Sequence, residues 1–324
     1  MRYHCSLQIN LAPNDYPHAV YILPHQLKTL SGQVDRIVLI IDTHRSKGRF
    51  GENWEGNLTL IKGLVNRLAL EYNNISIIEV DYSKPVSKTI AESFFNAGYI
   101  PKKDYRGGPF YAYFFGLYSC DSDYVLHLDS DMLLGGMSQS WVQEAIDQLY
   151  QDDSLIICSP LPGPPHPEGI LIGQPGATAV GDRYKFQFSQ MSTRIFLLKM
   201  KTFEKNKITL KRPPFDKLMR AFLKGNPAFS LPEVLISDFM IINHLKRIDF
   251  LGSGMGLWSL HPPFRTLSFY KNLPSIINDV EHNTLPSKQN GFYDLVDEVC
   301  DWTEAREKLK ANRWWKRLLN GRSR

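Results

Sequence analysis

Strand-like runs recur through the first 135 residues of the chain. Four occur, at residues 6–11, 36–42, 75–81 and 124–129. The run at 36–42 is continuously apolar, as is typical of strands buried on both faces of a parallel sheet. Helical patterns lie between them, at residues 17–30, 58–72 and 109–120. This order predicts βαβ units, and hence an α/β fold whose mainly parallel sheet is flanked by helices.

The second half of the chain is less regular and has no linker before it. It carries helical patterns at residues 140–151 and 232–247, strand-like runs at 155–159 and 193–198, and a long Pro- and Gly-rich stretch at 160–181. Pro24 is expected to kink or interrupt the first helix. We therefore divide one domain into a first half (1–135), a second half (136–300) and a C-terminal segment (301–324).

Polar residues follow each predicted strand of the first half. They are Pro13-Asn14-Asp15, Asp42, Asp81 and the pair Asp129 and Asp131. The carboxyl ends of parallel strands share one edge of the sheet, where α/β proteins bind ligands. Any single carboxylate, such as Asp81, is better explained as a turn cap, but four strand ends together favour a site.

Asp129 and Asp131 stand two residues apart at the end of the fourth run. Strand side chains alternate between faces, so the two carboxylates are expected on the same side. Paired carboxylates suit Mn²⁺ or Mg²⁺ bridging protein and substrate phosphates. A solvated Asp-Ser-Asp turn is the alternative. His127 shares the face of Asp129 but lies deeper, as a core histidine would.

The absence of two glycine-rich phosphate-binding motifs argues against two common classes of protein. Neither the G-x-G-x-x-G of dinucleotide-binding folds nor the P-loop pattern occurs, so hydride transfer and ATP hydrolysis lose support. Arg106 precedes Gly107-Gly108-Pro109 at a predicted helix start, where an anion could bind. A simple turn explains the same residues.

Composition and charge indicate a cytoplasmic protein without a nucleic-acid partner. The four cysteines are far apart, which argues against a disulfide framework, and neither a secretion signal nor an apolar run of spanning length is evident. The net charge is +5, and residues 301–324 hold eight basic and three acidic residues. The remainder is therefore neutral overall, unlike a nucleic-acid-binding domain.

Taken in chain order, these features resemble a GT-A fold, nucleotide-sugar-dependent glycosyltransferase, similar to glycosyltransferase family 2. The resemblance covers roughly residues 5–265. It rests on Pro13-Asn14, Asp42, Asp129-Ser130-Asp131, the basic Phe-containing segment at 196–203, and the run 237–252 that begins Ser237-Asp238 and ends at Gly252. Ser237 departs from the family's usual Glu.

The resemblance implies that residues 1–135 form the nucleotide-sugar-binding half and residues 136–300 the acceptor-binding half. Asp131 would bind Mn²⁺ or Mg²⁺, Asp129 would bind metal or ribose, and His261 would be a third metal ligand. Pro13, Asn14 and Asp42 would contact the nucleotide sugar, expected to be UDP-linked, and Arg106 is a further candidate from its place at a predicted helix start. Asp238 would be the general base of an inverting transfer to a glycan, lipid-linked or small-molecule acceptor. Capping a helix is the alternative for Asp238, and an ordinary loop position is the alternative for His261.

Two rival functions remain distinguishable from sugar transfer. A catalytically silent nucleotide-sugar or glycan binding module would keep the pocket and lack a working base, which the Ser237 departure allows. A nucleotidyltransferase would carry a Gly-rich, basic signature after the first strand, and residues 12–17 contain none.

The last segment predicts a basic amphipathic helix. Its apolar residues, Trp302, Ala305, Leu309, Trp315 and Leu319, recur at spacings compatible with one helical face. Such a helix would bind an anionic membrane surface, placing the protein peripherally on the inner membrane face. Packing of Trp302 and Leu309 against the domain is the alternative.

Overall fold

A computed structural model describes residues 3–45 and 51–311 of the chain. The strands are β1 (Cys5–Leu11), β2 (Arg36–Ile41), β3 (Ile75–Glu79), β4 (Tyr124–Asp129), β5 (Leu133–Gly135), β6 (Leu155–Pro162), β7 (Thr178–Ala179), β8 (Lys185–Phe188), β9 (Ile195–Lys199), β10 (Lys246–Phe250) and β11 (Trp258–Leu260). The helices are α1 (Tyr16–Leu30), α2 (Trp54–Glu71), α3 (Lys84–Phe94), α4 (Tyr111–Ser119), α5 (Trp141–Gln151), α6 (Thr202–Lys205), α7 (Phe215–Leu223), α8 (Pro232–Ile242), α9 (Leu267–Glu281) and α10 (Thr303–Ala311).

The described strands form one mixed, 11-stranded sheet with helices on both faces. Its main order is β3-β2-β1-β4-β9-β6-β10-β8-β7, and β5 and β11 branch from it. Strands β3, β2, β1 and β4 are parallel neighbours, so their carboxyl ends lie at one edge. Along the chain, β1, β2 and β3 follow one another toward one edge of the sheet, and the chain then returns to add β4 on the other side of β1. The carboxyl ends of β1 and β4 therefore form the topological switch point, where such folds bind ligands. The predicted α/β class is confirmed.

The second half adds antiparallel pairs to this parallel set. Strand β9 runs antiparallel to both β4 and β6, and β8 runs antiparallel to β10. Because β9 pairs with β4, strands from both halves of the chain belong to the same sheet. The sheet is thus more mixed than the sequence indicates.

One predicted element, the helix at residues 232–247, was wrong at its C-terminal end. The helical pattern was expected to extend to residue 247, but α8 ends at Ile242 and Lys246–Phe250 forms β10. His244 adopts a φ of 53°, in the left-handed region, which ends the helix. Pro24, in contrast, lies inside α1 without interrupting it.

Apolar side chains fill both faces of the sheet. Helices α1, α2 and α5 cover one face with a cluster that includes Leu23, Leu64 and Trp141. Helices α3, α4 and α8 cover the other face, where Phe114 and Phe239 are buried. A third cluster beneath α9 joins the two halves at one end of the molecule.

The start of the C-terminal segment packs on the domain. Trp302 is buried beside Phe264 and Phe269, and its indole Nε1 donates to the Leu295 carbonyl at 2.8 Å. Leu309 is 57% exposed, so it does not pack as the alternative for this segment expects. Trp315 and Leu319 lie outside the described residues. None of the described helices is long and apolar enough to cross a membrane.

A polar seam lies between α4 and the sheet. Gln8 is fully buried; its Nε2 donates to Asn10 Oδ1 at 2.7 Å, and its Oε1 is hydrogen-bonded to His127 Nδ1. Gly116 of α4 packs directly on this seam, because a Cβ there would lie 2.4 Å from Gln8 Nε2 and 2.8 Å from Asn10 Oδ1. Helix α4 can approach the sheet this closely only without a side chain at that position.

We predict that Gly116→Ala destabilises the fold by about 1–3 kcal/mol, because overpacking must move a hydrogen-bonded, buried amide. Gly63→Ala is the matched control, since Gly63 also lies inside a helix but has no atom within 4 Å of an added Cβ. That control should gain about 1 kcal/mol from helix propensity. Denaturant unfolding measures both, and equal behaviour of the two variants would contradict the predicted close approach.

Candidate active site

The Asp-Ser-Asp segment forms a turn at the switch point. Strand β4 ends at Asp129, and the Met132 N–H donates to the Asp129 carbonyl at 3.2 Å. Gln26 of α1 donates to the carbonyls of both residues at 2.9 Å. Strand alternation therefore does not apply to Asp131, and that part of the prediction was wrong. Asp129 is 37% exposed at its side chain, whereas Asp131 is buried.

Arg265 holds the buried carboxylate of Asp131. Its Nη2 and Nε both donate to Asp131 Oδ2, at 2.7 and 3.0 Å. Its Nη1 reaches Asp15 Oδ1 at 3.1 Å. Asp15 is itself fixed, because its Oδ2 accepts the Ala12 N–H at 2.9 Å. One guanidinium thus bridges the carboxyl ends of β1 and β4.

The other oxygen of Asp131 is left bare. Oδ1 is buried and has no hydrogen-bond partner among the residues that the structure describes. Burial raises the pKa of Asp131, but the Arg265 guanidinium outweighs it and holds this pKa below its ordinary value. An ionised oxygen without a partner is costly to bury, so this atom is suited to accept a ligand.

His261 lies within electrostatic range of Asp131, and two other side chains hold its ring. Its Nδ1 is 2.8 Å from Asp294 Oδ1, and its ring stacks on Tyr293 with centroids 5.9 Å apart. A carboxylate can only accept, so Nδ1 carries the proton and Nε2 is left as an acceptor in neutral imidazole. A carboxylate that binds the Nδ1–H of a histidine in this way is known to orient the ring so that Nε2 can bind a metal.

Asp129 faces a positively charged part of the crevice. Arg194 Nη1 lies 3.9 Å from Asp129 Oδ2, and His127 Nε2 lies 3.5 Å from Oδ1. Burial raises the pKa of Tyr293, on which Arg194, Asp129 and Asp131 also act. The Tyr293 hydroxyl therefore lies within the field of both carboxylates. His127 is fully buried, as predicted for a core histidine.

Asp42 closes β2 beside an aromatic cluster. The Tyr82 hydroxyl lies 3.0 Å from both carboxylate oxygens of Asp42. The Tyr82 ring is 4.8 Å from that of Tyr111 and 5.3 Å from that of His44. Burial and Asp42 both raise the pKa of Tyr82, so this phenol stays a donor. A carboxylate flanked by aromatic rings can bind a flat, hydrogen-bonding ligand.

The turn after β1 holds the next two predicted residues. Pro13 is buried and Asn14 is partly exposed in a short 3₁₀ helix, Pro13–Asp15, directly before α1. Arg106 is exposed elsewhere: its Nε donates to the Tyr105 hydroxyl at 3.0 Å, and the Tyr105 N–H donates to the Phe229 carbonyl. No recorded contact of Arg106 reaches the carboxylates of β4.

Asp238 lies in the middle of α8 rather than at its start. Helix α8 begins at Pro232, so the alternative of a first-turn cap is wrong for Asp238. Its Oδ2 accepts from Lys211 Nζ at 2.7 Å. The neighbouring Ser237 is structural, because its Oγ donates to the Glu233 carbonyl and accepts the Met191 N–H. The base role of Asp238 stays a prediction.

Glu233 is the acidic residue that does occupy the first turn of α8. Its side chain is exposed and forms no ion pair or side-chain hydrogen bond with any described residue. Burial raises the pKa of the Tyr113 hydroxyl, and Asp129 and Glu233 raise it further. Glu233 and Asp129 therefore both lie within electrostatic range of this one buried hydroxyl.

A divalent metal fits this site only with help from a ligand. No three His, Cys, Asp or Glu side chains within residues 3–45 and 51–311 converge to hold a metal ion. Mg²⁺ is usually held by one or two carboxylates together with substrate phosphates, so a three-residue cage is not required. Asp131 Oδ1 is the hard, charged oxygen that such an ion would take.

Several site residues are absent from the sequence prediction. They are Tyr82, Arg194, Glu233, Arg265, Tyr293 and Asp294. One lies close to a predicted residue, since Arg265 comes four residues after His261. The others come from distant segments, and only the folded chain brings them to the crevice.

Comparisons with known proteins identify glycosyltransferase structures. No protein-family model matches the chain, and no curated protein sequence matches it significantly. Mannosyltransferase PcManGT from Pyrobaculum calidifontis, in complex with GDP-Man and Mn²⁺, matches with a TM-score of 0.36 and 9% identity over 96% of this chain and 75% of that chain. Galactosyltransferase LgtC matches with 0.31 and 12% over 73% and 70%. The bifunctional glycosyltransferase WbbM matches with 0.30 and 12% over 74% and 37%.

These names agree with the family that the sequence resembles. With identities and TM-scores of this size, the roles of individual residues rest on the geometry of the chain itself.

His18 of α1 makes the site region sensitive to acid. Its Nε2 is 3.0 Å from Ser130 Oγ, and burial lowers its pKa from 6.5 to about 4. Above pH 6.5 the ring is neutral in both folded and unfolded chains. Between about pH 6.5 and 4 only the unfolded chain takes up the proton, so stability falls as pH falls, by up to about 3 kcal/mol for this group.

We predict that His18→Gln flattens this pH dependence in denaturant unfolding, because Gln can bond to Ser130 but does not titrate. The exposed His4→Gln variant is the matched control. An unchanged slope in His18→Gln would assign the acid sensitivity to other groups.

Proposed function

We propose that this protein is a metal-dependent glycosyltransferase of the GT-A type, transferring a sugar from a nucleotide sugar to a hydroxyl acceptor. The observation that carries the proposal is the ionised Asp131 carboxylate at the switch point between β1 and β4, with one oxygen bound by Arg265 and the other bare. A buried carboxylate with an open oxygen serves a cation that arrives with its own ligands, as one bound to a diphosphate does.

The donor would lie along the carboxyl ends of β2, β1 and β4. In this pose Asp42, with the rings of Tyr82 and Tyr111, binds the nucleotide base, and Pro13 and Asn14 line the turn beside it. Asp129 contacts ribose or metal. We expect a UDP-linked donor. Arg106, on the loop before α4, is a further candidate for contact with the donor.

Asp131 would hold Mn²⁺ or Mg²⁺ together with the diphosphate, with Asp129 or His261 as a second protein ligand. The bound ion would act as a Lewis acid that neutralises the leaving diphosphate. Arg265 and Arg194 lie on the same carboxylates and supply further positive charge toward the phosphates. Asp294 fixes the orientation of His261.

A carboxylate of α8 would act as the general base of an inverting single displacement. The family resemblance assigns this role to Asp238, and Glu233 is a second candidate on the same helix. Asp238 is paired with Lys211, while Glu233 is exposed and forms no ion pair with the described residues. The acceptor is a glycan, a lipid-linked sugar or a small molecule.

A catalytically silent nucleotide-sugar or glycan binding module is the second candidate. The Lys211–Asp238 ion pair supports it, because a base held by a cation accepts a proton poorly. A measurement of donor turnover separates this candidate from the enzyme, because a silent module would bind the donor without turning it over.

We predict that Asp131→Asn abolishes Mn²⁺-dependent binding of nucleoside diphosphate, because the amide keeps the shape of the carboxylate and loses its charge. Asp81→Asn is the matched control, since Asp81 ends β3 at the same edge but only caps the Ser83 N–H. Titration calorimetry with and without Mn²⁺ measures the effect. Metal-dependent affinity that survives in a folded Asp131→Asn variant would exclude this metal site.

We predict that Glu233→Gln lowers turnover by about 10²-fold or more with donor binding retained, as loss of a general base does. Asp238→Asn, measured in parallel, tests the assignment from the family resemblance. A large loss in Asp238→Asn alone would restore Asp238 as the base. Near-normal turnover in both variants would show that neither carboxylate accepts the proton.

A further inference from the structure

Helix α7 presents large apolar side chains to solvent. Phe215 is 76% exposed, Met219 45%, Phe222 80% and Leu223 79%, so four of its nine residues are large, apolar and exposed. Monomeric proteins rarely expose contiguous apolar groups of this kind without a partner. The helix thus carries a surface that residues 3–45 and 51–311 leave uncovered.

The apolar residues of α7 share one face. At about 100° per residue, Phe222, Phe215, Met219 and Leu223 fall within a continuous sector of about 100°. Ala221, which is fully buried, lies outside this sector and packs the helix on the domain. The exposed sector therefore points away from the protein and is not the face that anchors the helix.

Basic residues surround this apolar face. Residues 206–231 contain six basic residues and one acidic residue, a net charge of +5. Lys207, Lys211 and Lys217 are engaged with Ser93, Asp238 and the Tyr105 ring. The other three basic residues, Arg212, Arg220 and Lys224, are exposed and form no ion pair within the described part of the chain. Their charges are free to meet an anionic surface.

We propose that α7 docks the protein on an anionic lipid bilayer, with Phe215, Met219, Phe222 and Leu223 inserted at the interface and Arg212, Arg220 and Lys224 at the level of the headgroups. A helix with an apolar face and a cationic border is suited to that environment. A second copy of this chain is disfavoured as occupant, because two such segments would bring like charges together.

The insertion of α7 can be tested with a matched pair of leucines. Leu223→Ser and Leu70→Ser each remove an exposed leucine, 79% and 86% exposed, from the end of a helix. Binding of the full chain to vesicles of mixed phosphatidylserine and phosphatidylcholine is measured by co-sedimentation. We expect Leu223→Ser to weaken binding about tenfold and Phe222→Ser at least as much, since each variant loses an apolar side chain that would be buried in the bilayer. Leu70→Ser should bind as the wild type does.

The charge of the border is tested separately. Arg220→Gln and Lys224→Gln should each weaken binding about fivefold, and raised salt should weaken it in the wild type. Lys88→Gln, at an exposed lysine of α3, should have no effect. Vesicles of phosphatidylcholine alone should bind poorly.

The C-terminal tail is separated from α7 by repeating these measurements on a chain that ends at Asn312. Equal binding of Leu223→Ser and wild type, in either chain length, would overturn the proposal, and so would failure of the wild type to bind anionic vesicles at low salt. A wild-type dimer that Leu223→Ser dissociates, without any vesicle binding, would assign the face to a second copy. None of these measurements depends on sugar transfer, so the proposal fails or stands apart from the proposed function.

Discussion

The pairing of Asp131 with Arg265 constrains the rest of the site. A carboxylate moved out of water costs several kcal/mol unless a well-placed cation compensates for the loss of hydration. Arg265 supplies this cation from the loop between β11 and α9, far from Asp131 in the chain. The same loop carries His261, and Thr266 caps α9 through its Oγ1. The second half of the chain must therefore close over β4 for the turn after this strand to be stable.

The charges left at the crevice suit a ligand that brings both signs. Among the described residues, two arginines, Arg194 and Arg265, pair with three carboxylates, those of Asp15, Asp129 and Asp131. Neither a bare dianion nor a bare cation would satisfy all five groups. A diphosphate with a divalent ion would satisfy them, because its oxygens would pair with the guanidinium groups and its metal with the open oxygen of Asp131. Charge balance thus supports the same ligand as the position of the site does.

Local patterns in the sequence were sufficient to predict the parallel half of the fold. Strand β4 spans the predicted residues, and α1 and α2 differ only at their ends, because buried strands and amphipathic helices leave periodic signals. Strand β10 was missed since its residues continue a helical pattern, and only the backbone of His244 ends it.

The site was predicted less completely than the fold. Asp42, Asp129 and Asp131 could be predicted because each stands at or just after the end of a strand-like run, whereas His261 was expected from the family resemblance; the roles of all four stay predictions. Arg265, Asp294 and Tyr293 could not be predicted, since their roles arise from contacts between residues that are distant in sequence. Asp131 was assigned to the correct edge with the wrong geometry, because alternation stops where the strand turns.

The α7 surface and the α8 carboxylates belong to one continuous segment. The Ser230 N–H donates to the Lys211 carbonyl at 2.9 Å, and Lys211 binds Asp238, so residues 211–230 form a closed loop whose end leads into α8. Glu233 begins that helix within a few residues of the loop. Docking of α7 on a bilayer would hold this end of α8 close to the lipid headgroups. If both proposals hold, the acceptor hydroxyl is presented at the membrane surface, which among the acceptor classes favours a lipid-linked one.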